Sequence, residues 1–131
     1  MFDKTDYWLE LCDDDLRTAN NLFESKEHLW MAFLCYYVVK KSLMASMVNE
    51  NSEKLKQTSD LIKLAKQANL IDSLTVEQVA LLNELTPYYI ETRYPSDKEA
   101  RANKFSSEYC NNLLMQTKNF LRCSKHRLGK Q

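Results

Sequence analysis

The fold is decided by one apolar segment, residues 29–47, which reads LWMAFLCYYVVKKSLMASM. Its apolar side chains cover more than one face of a helix, whereas a surface helix carries a single apolar stripe. These side chains are Leu29, Trp30, Phe33, Leu34, Tyr37, Val38, Leu43, Met44 and Met47. The pattern predicts a central, buried helix from about residue 26 to residue 48, with Ser25 as its N-cap.

The segments on either side of this helix show apolar residues at steps of three and four, which predicts further helices. Their expected ranges are about 5–23, 59–68 and 96–125, with a further helix after Thr75 that carries Val79, Leu82, Leu85 and Tyr89. Asn69 suits a left-handed C-cap, and the Thr75–Gln78 run is a capping box that opens the fourth helix. Pro87 removes a helical hydrogen bond and predicts a kink there. A second capping box, at Ser96, opens the last helix.

These patterns together predict an all-α fold, an antiparallel bundle of about five helices, four of them long and one short. With 131 residues the chain forms a single domain spanning residues 1–131, and we expect a flexible tail from about residue 126. The only glycine is Gly129. Walker loops and Rossmann turns need several glycines close to phosphate, so nucleotide-binding enzymes of those two classes are excluded.

Charge and cysteine usage restrict the setting of the protein. The 18 basic and 18 acidic residues balance, so no global field attracts nucleic acid or membrane. The four cysteines form no C-x-x-C pair, which favours reduced thiols and a cytoplasmic location. The start of the chain is acidic and has no secretory pattern. The longest apolar run, residues 31–39, is shorter than the roughly 20 residues that span a bilayer. We therefore expect no membrane association.

The stretch from Tyr88 to Asp97 contains the best candidate for a binding site. An arginine at a helix junction presents a fork of donors suited to phosphate, and tyrosine rings nearby can stack a base. The sequence places Arg93 and Tyr94 four and five residues after Tyr89. An architectural role for this turn, with the arginine paired to a carboxylate, is the alternative. Asp15 lies at the edge of the first apolar stripe and needs a partner, for which Lys41 and Arg93 are the candidates.

Several short motifs resemble those of the HEPN family (higher eukaryote and prokaryote nucleotide-binding domains). They are Asp15-Leu16-Arg17-Thr18-Ala19, the run from Val38 to Ala45, Thr58-Ser59-Asp60-Leu61, and Tyr89 followed by Arg93-Tyr94-Pro95. The chain departs from the family pattern at Lys40, Met44 and Ser59, where the family carries glutamate, lysine and histidine. The resemblance implies a helical bundle and a nucleotide, an RNA or a nucleotidyltransferase protein as partner, often in toxin–antitoxin systems. It also implies a two-fold homodimer, for which the second helix offers apolar surface.

On this resemblance we expect a non-catalytic binding module whose ligand contacts are Arg93, Tyr94, Tyr89 and Lys41. The ribonucleases of the family carry an arginine, four to six residues and then a histidine. Arg122 and His126 are separated by three residues, one fewer than this pattern. A metal-independent endoribonuclease that uses this pair is the alternative, and a purely structural scaffold is a third. We expect no cofactor. We also expect no metal, because the consecutive residues Asp13, Asp14 and Asp15 point in different directions on a helix and cannot bind one ion together.

Overall fold

The computed structural model describes residues 3–47, 58–91 and 103–130, and the predicted all-α fold is confirmed for them. They form α1 (Lys4–Glu24), α2 (His28–Ala45), α3 (Leu61–Gln67), a 3-10 turn (Ile71–Ser73), α4 (Val76–Leu85), the short α5 (Tyr88–Glu91) and α6 (Ser107–Arg127). No strand occurs among these residues. None of the helices described is long and apolar enough to cross a bilayer.

Helix α2 is the centre of the bundle, as its sequence predicts. It packs against α1, α3, α4, α5 and α6, with α1 as its most extensive neighbour. Ten of its 18 residues are buried, including Tyr36 and Leu43. The apolar excess that we expected to serve a dimer is therefore used mainly inside one chain. Among the described residues of α2, Trp30 is the one large apolar side chain that is strongly exposed, at 50%.

Side chains cap the beginnings of α1, α3 and α4. Asp3 and Asp6 form a capping box at the start of α1, and the predicted capping box of Thr75 and Gln78 opens α4. The Asp60 carboxylate accepts from the amides of Ile62 and Lys63 at the start of α3. These acceptors satisfy amides that have no partner inside the helix, so each start is set locally.

Left-handed residues end three of the helices. Asn69, with φ of 58°, follows α3 as predicted, and Gly129, with φ of 70°, follows α6. The prediction that Ser25 caps α2 is wrong, because Lys26 takes φ of 62° and ends α1 there. Its amide donates to the Phe23 carbonyl and the amide of Glu27 to that of Leu22, so the last carbonyls of α1 are satisfied.

Two boundaries near the last helices follow from proline and serine. Helix α4 ends at Leu85 and α5 begins at Tyr88, so the interruption predicted at Pro87 is confirmed. The expected continuous helix from Ser96 is wrong, because the chain is extended at Ser106, where ψ is 159°. The Ser106 hydroxyl accepts from the Tyr109 amide and starts α6 there. Residues 92–102, including the Ser96 capping box, lie outside the described residues.

Candidate functional site

Three tyrosine rings and one lysine meet where α2 faces α5. The ring centroids of Tyr36 and Tyr37 are 5.2 Å apart, and Tyr89 lies 5.4 Å from the first and 6.4 Å from the second. The Lys40 ammonium is 5.9, 5.7 and 5.9 Å from the centroids of Tyr36, Tyr37 and Tyr89. We call these four residues the tyrosine–lysine cluster. Its rings surround a cation at the edge of cation–π range.

The Lys40 ammonium has no carboxylate partner among the described residues. The side chain is half-buried, and desolvation lowers the pKa of its amine from the usual value. No ion pair joins it to any carboxylate in the part of the chain that the structure describes. A partly desolvated cation flanked by aromatic faces attracts an anion from solution more strongly than a fully hydrated surface lysine does.

The neighbouring residue, Lys41, is engaged within the protein. Its ammonium donates to Asp15 Oδ2 at 2.6 Å and lies 5.5 Å from the Tyr37 ring centroid. Of the two candidates for pairing with Asp15, the structure shows Lys41. Both side chains are about one quarter exposed or less, so the pair ties α1 to α2 with little access for solvent. The positive charge of Lys41 is therefore balanced by the carboxylate of Asp15.

A second polar cluster joins α4, α5 and α6 around Glu84. The hydroxyl of Tyr88 donates to Glu84 Oε1 at 2.8 Å, and Tyr109 donates to the same oxygen and also contacts the Tyr88 hydroxyl. The Lys104 ammonium lies 3.9 Å from this oxygen. The hydrogen bond from Tyr109, with that from Tyr88 and the charge of Lys104, holds the pKa of Glu84 below its usual value.

We expect this carboxylate to make stability depend on pH. A lowered folded-state pKa contributes stability that is fully present above the unfolded value of 4.5 and is lost as the pH falls through the folded value. Glu84→Gln should therefore be less stable than wild type at about pH 7, by about 1 kcal/mol or less because the side chain is 41% exposed. The difference should shrink at about pH 3. Urea unfolding at both pH values measures it.

The exposed Glu10 on α1 supplies the control for this experiment. Glu10→Gln removes a carboxylate for which the structure shows no hydrogen bond or ion pair, so its stability curve should run parallel to that of wild type. A Glu84→Gln variant with the same difference from wild type at both pH values would contradict a role for the charged carboxylate.

The candidate catalytic pair lies near the C-terminal end of α6. Arg122 and His126 are exposed on α6 and line one shallow groove of about 580 Å³, with Ser73, Thr75, Gln78, Cys123 and Arg127. The Arg122 guanidinium donates to Asn119, one turn earlier on the same helix. The pair is thus reachable from solvent, in an open groove that does not exclude water.

The structure tests the predicted ligand contacts only in part. Tyr89 lies in the tyrosine–lysine cluster, whereas Arg93 and Tyr94 lie outside the described residues. Lys40 is not among the ligand contacts predicted from the sequence. It follows Tyr36 and Tyr37 by four and three residues, spacings that place side chains on one helical face, so this signal was present. No group of three or more acidic, histidine or cysteine side chains in the described ranges could hold a metal ion.

Comparisons with known proteins agree with the fold and with the motifs. No curated protein and no solved structure gives a significant match. The family model described as HEPN domain matches residues 5–127, which is nearly the whole chain and includes every helix except the first residue of α1. The resemblance in the short motifs therefore extends over the complete bundle, and the chain belongs to the HEPN family.

Proposed function

We propose that this domain is a non-catalytic binding module for the phosphate-bearing part of a nucleotide or an RNA. The ligand lies on the tyrosine–lysine cluster and on the Arg93-Tyr94-Pro95 turn that follows it in the sequence. Membership of the HEPN family supports a ligand of this class. The cluster adds what such a ligand needs, which is a positive charge next to aromatic faces.

One observation carries the proposal, and it is the contrast between two adjacent lysines. Lys41 has its charge matched by Asp15 at 2.6 Å, whereas Lys40 has three tyrosine rings around it and no carboxylate partner among the described residues. Binding a phosphate oxygen gives the Lys40 ammonium a counter-charge that the described residues do not supply. Lys40 is therefore a better ligand contact than Lys41.

Sequence position adds Arg93 and Tyr94 to this surface. They follow Tyr89 by four and five residues, so the chain leaves the cluster only a few residues before them. A guanidinium offers phosphate two parallel hydrogen bonds, and a phenol ring offers a base a stacking face. In the proposal Arg93 and Lys40 bind phosphate, while Tyr89 and Tyr94 contact the base.

Binding measurements with charge-neutral variants test this site. We expect Lys40→Gln and Arg93→Ala each to weaken binding of ATP, GTP or a short single-stranded RNA by about tenfold, the effect of losing one charge-assisted hydrogen bond. For RNA, each variant should also reduce the dependence of affinity on salt, because one phosphate contact is lost. Isothermal titration calorimetry and fluorescence anisotropy measure these two quantities.

The matched control is Lys63→Gln on α3, an exposed lysine far along the sequence from the cluster and without an ion pair in the structure. Its affinity should equal that of wild type. Wild-type affinity in both Lys40→Gln and Arg93→Ala would remove the cluster and the turn from the site. Failure of the wild-type protein to bind any of the three ligands would leave a scaffold whose turn is architectural.

Family membership also supports two protein partners for this module. We propose that it associates with a nucleotidyltransferase protein, as in toxin–antitoxin systems, and that two copies of the chain form a homodimer. A pull-down from native lysate with mass spectrometry tests the first partner. A nucleotidyltransferase should be enriched relative to a control pull-down in which the bait has the same sequence but has been heat-denatured. Sedimentation tests the second.

The second candidate function is a metal-independent endoribonuclease. The observation in its favour is that Arg122 and His126 line the same solvent-filled groove. A guanidinium can stabilise a strained phosphate, and an imidazole can move the proton of a 2′-hydroxyl. Cleavage of RNA in EDTA that disappears in His126→Ala would support this function, and intact RNA with the purified protein would exclude it.

A further inference from the structure

The outer face of α6 carries a straight stripe of exposed residues. Steps of three and four residues place them within one face of the helix. They are Glu108, Asn111, Met115, Asn119, Arg122 and His126, and every one of them is exposed. We call this row the α6 stripe. No other described helix covers it.

The centre of the α6 stripe lacks charge, which is unusual for a face in water. Asn111, Met115 and Asn119 are uncharged, and the sequence holds no charged residue between Glu108 and Lys118. The Met115 side chain is 59% exposed. Solvated helix faces carry many charged residues, whereas the core of a protein interface is depleted of charge and enriched in methionine. The stripe thus has the composition of an interface core.

Two shallow grooves lie along the outer surface of α6. Towards α1 the groove has a volume of about 750 Å³ and includes Leu16, Met115 and Arg122 in its lining. Towards α4 a groove of about 280 Å³ lies beside Leu81, Leu113 and Gln116. Met115, Asn119 and Arg122 of the stripe line the larger groove themselves, and Asn112 and Gln116 line both grooves. The surface at the stripe is therefore grooved, which suits the packing of a second helix.

The charges at the two ends of the stripe are opposite and equally distant from its centre. Glu108 lies seven residues before Met115, and Arg122 lies seven residues after it. Each is about 10 Å from the centre along the helix axis. When two such helices pack antiparallel about a two-fold axis through Met115, Glu108 of each copy meets Arg122 of the other. The stripe is complementary in charge to itself.

We propose that the α6 stripe is a two-fold interface between two copies of this chain, with Met115 on the axis. The inference rests on the self-association proposed above and assigns it a surface, away from the largely buried α2. A two-fold interface uses the same patch on both copies, so each contact is made twice. Asn111 and Asn119, at equal distances from Met115, also face each other across this axis.

A charge-swap experiment tests the interface. Met115→Glu places two carboxylates on the axis and should raise the dimer dissociation constant at least about tenfold. Glu108→Arg and Arg122→Glu each create two like-charge contacts and should weaken the dimer by about tenfold or less, since rim charges are partly screened. The double variant Glu108→Arg/Arg122→Glu restores both pairs and should regain most of the wild-type affinity. Sedimentation equilibrium measures all four constants.

Two controls show whether a weaker dimer results from a change at the α6 stripe or from a loss of folding. Lys63→Glu changes an exposed charge on α3 and should leave the dissociation constant unchanged, and thermal melting shows that each variant is folded. A dimer unaffected by Met115→Glu, or a double variant weaker than both single variants, would overturn the α6 stripe while self-association stands. A wild-type protein that stays monomeric would overturn both. Nucleotide affinity, measured separately, tests the ligand site.

Discussion

Replacement of Tyr36 by alanine is expected to lower the free energy of unfolding by about 3–5 kcal/mol, the cost of deleting a fully buried ring. The Tyr36 side chain has no exposed surface, and its ring contacts those of Tyr37 and Tyr89. Domains are stable by only about 5–15 kcal/mol, so this variant should be close to unfolding at room temperature. Urea unfolding followed by far-UV circular dichroism measures the difference.

Two further variants isolate the ring from its hydroxyl. The Tyr36 hydroxyl donates to the Ser59 carbonyl oxygen at 2.6 Å, and Tyr36→Phe should cost only about 1 kcal/mol for the loss of this bond. Tyr7→Ala, at a tyrosine that is 52% exposed, should change stability little. Equal stability of Tyr36→Ala and Tyr36→Phe would show that packing of the ring does not hold α2 against α5.

The second large effect is expected in thiol reactivity. Desolvation by burial raises the pKa of the Cys12 and Cys35 thiols to about 12 and that of Cys110 to about 11, whereas Cys123 is exposed. At about pH 8 a thiol of pKa near 12 is a thiolate in roughly one molecule in ten thousand. In the folded protein, the exposed Cys123 thiol should react with an aromatic disulfide reagent about a thousandfold faster than the three buried thiols.

Absorbance of the released thiolate counts these groups directly. The folded protein should show one fast equivalent, and the protein in urea should show four. Cys123→Ser should abolish the fast phase and leave the slow one. Two or more fast equivalents in the folded protein would mean that α1, α2 or α6 opens often enough to expose a buried cysteine.

The sequence predicts the helices well because their signals are local. Apolar residues recur at helical steps along α1 and α6, and the excess in residues 29–47 correctly indicates the central helix. The Thr75–Gln78 capping box and the left-handed Asn69 also depend on residues within one turn. Pro87 interrupts the helix because its ring removes the backbone N–H and clashes with the carbonyl of the preceding turn.

The boundaries that the sequence misplaces depend on less specific residues. Lysine has no preference for positive φ, yet Lys26 adopts it because the last carbonyls of α1 need donors there. Serine can cap a helix at many positions, so the choice of Ser106 as the start of α6 is not evident from the pattern. Neither residue type is specific enough to fix a helix boundary from the sequence alone.

The candidate site is harder to predict because it joins distant parts of the chain. Helical spacing alone places Lys40 beside Tyr36 and Tyr37, but Tyr89 reaches them only through the packing of α5 on α2. The two adjacent lysines, Lys40 and Lys41, also differ in whether they pair with a carboxylate. Asp15 faces Lys41 rather than Lys40, which is a matter of how α1 is rotated against α2. Sequence patterns do not specify such rotations.

The first and last residues that the structure describes lie side by side. The Lys130 ammonium is 3.5 Å from a carboxylate oxygen of Asp3 and 3.1 Å from one of Asp6. The start of α1 and the end of the described chain are therefore close enough for one lysine side chain to connect them. A host protein can carry such a unit inside one of its surface loops without stretching the two junctions, and a short linker between the ends permits circular permutation.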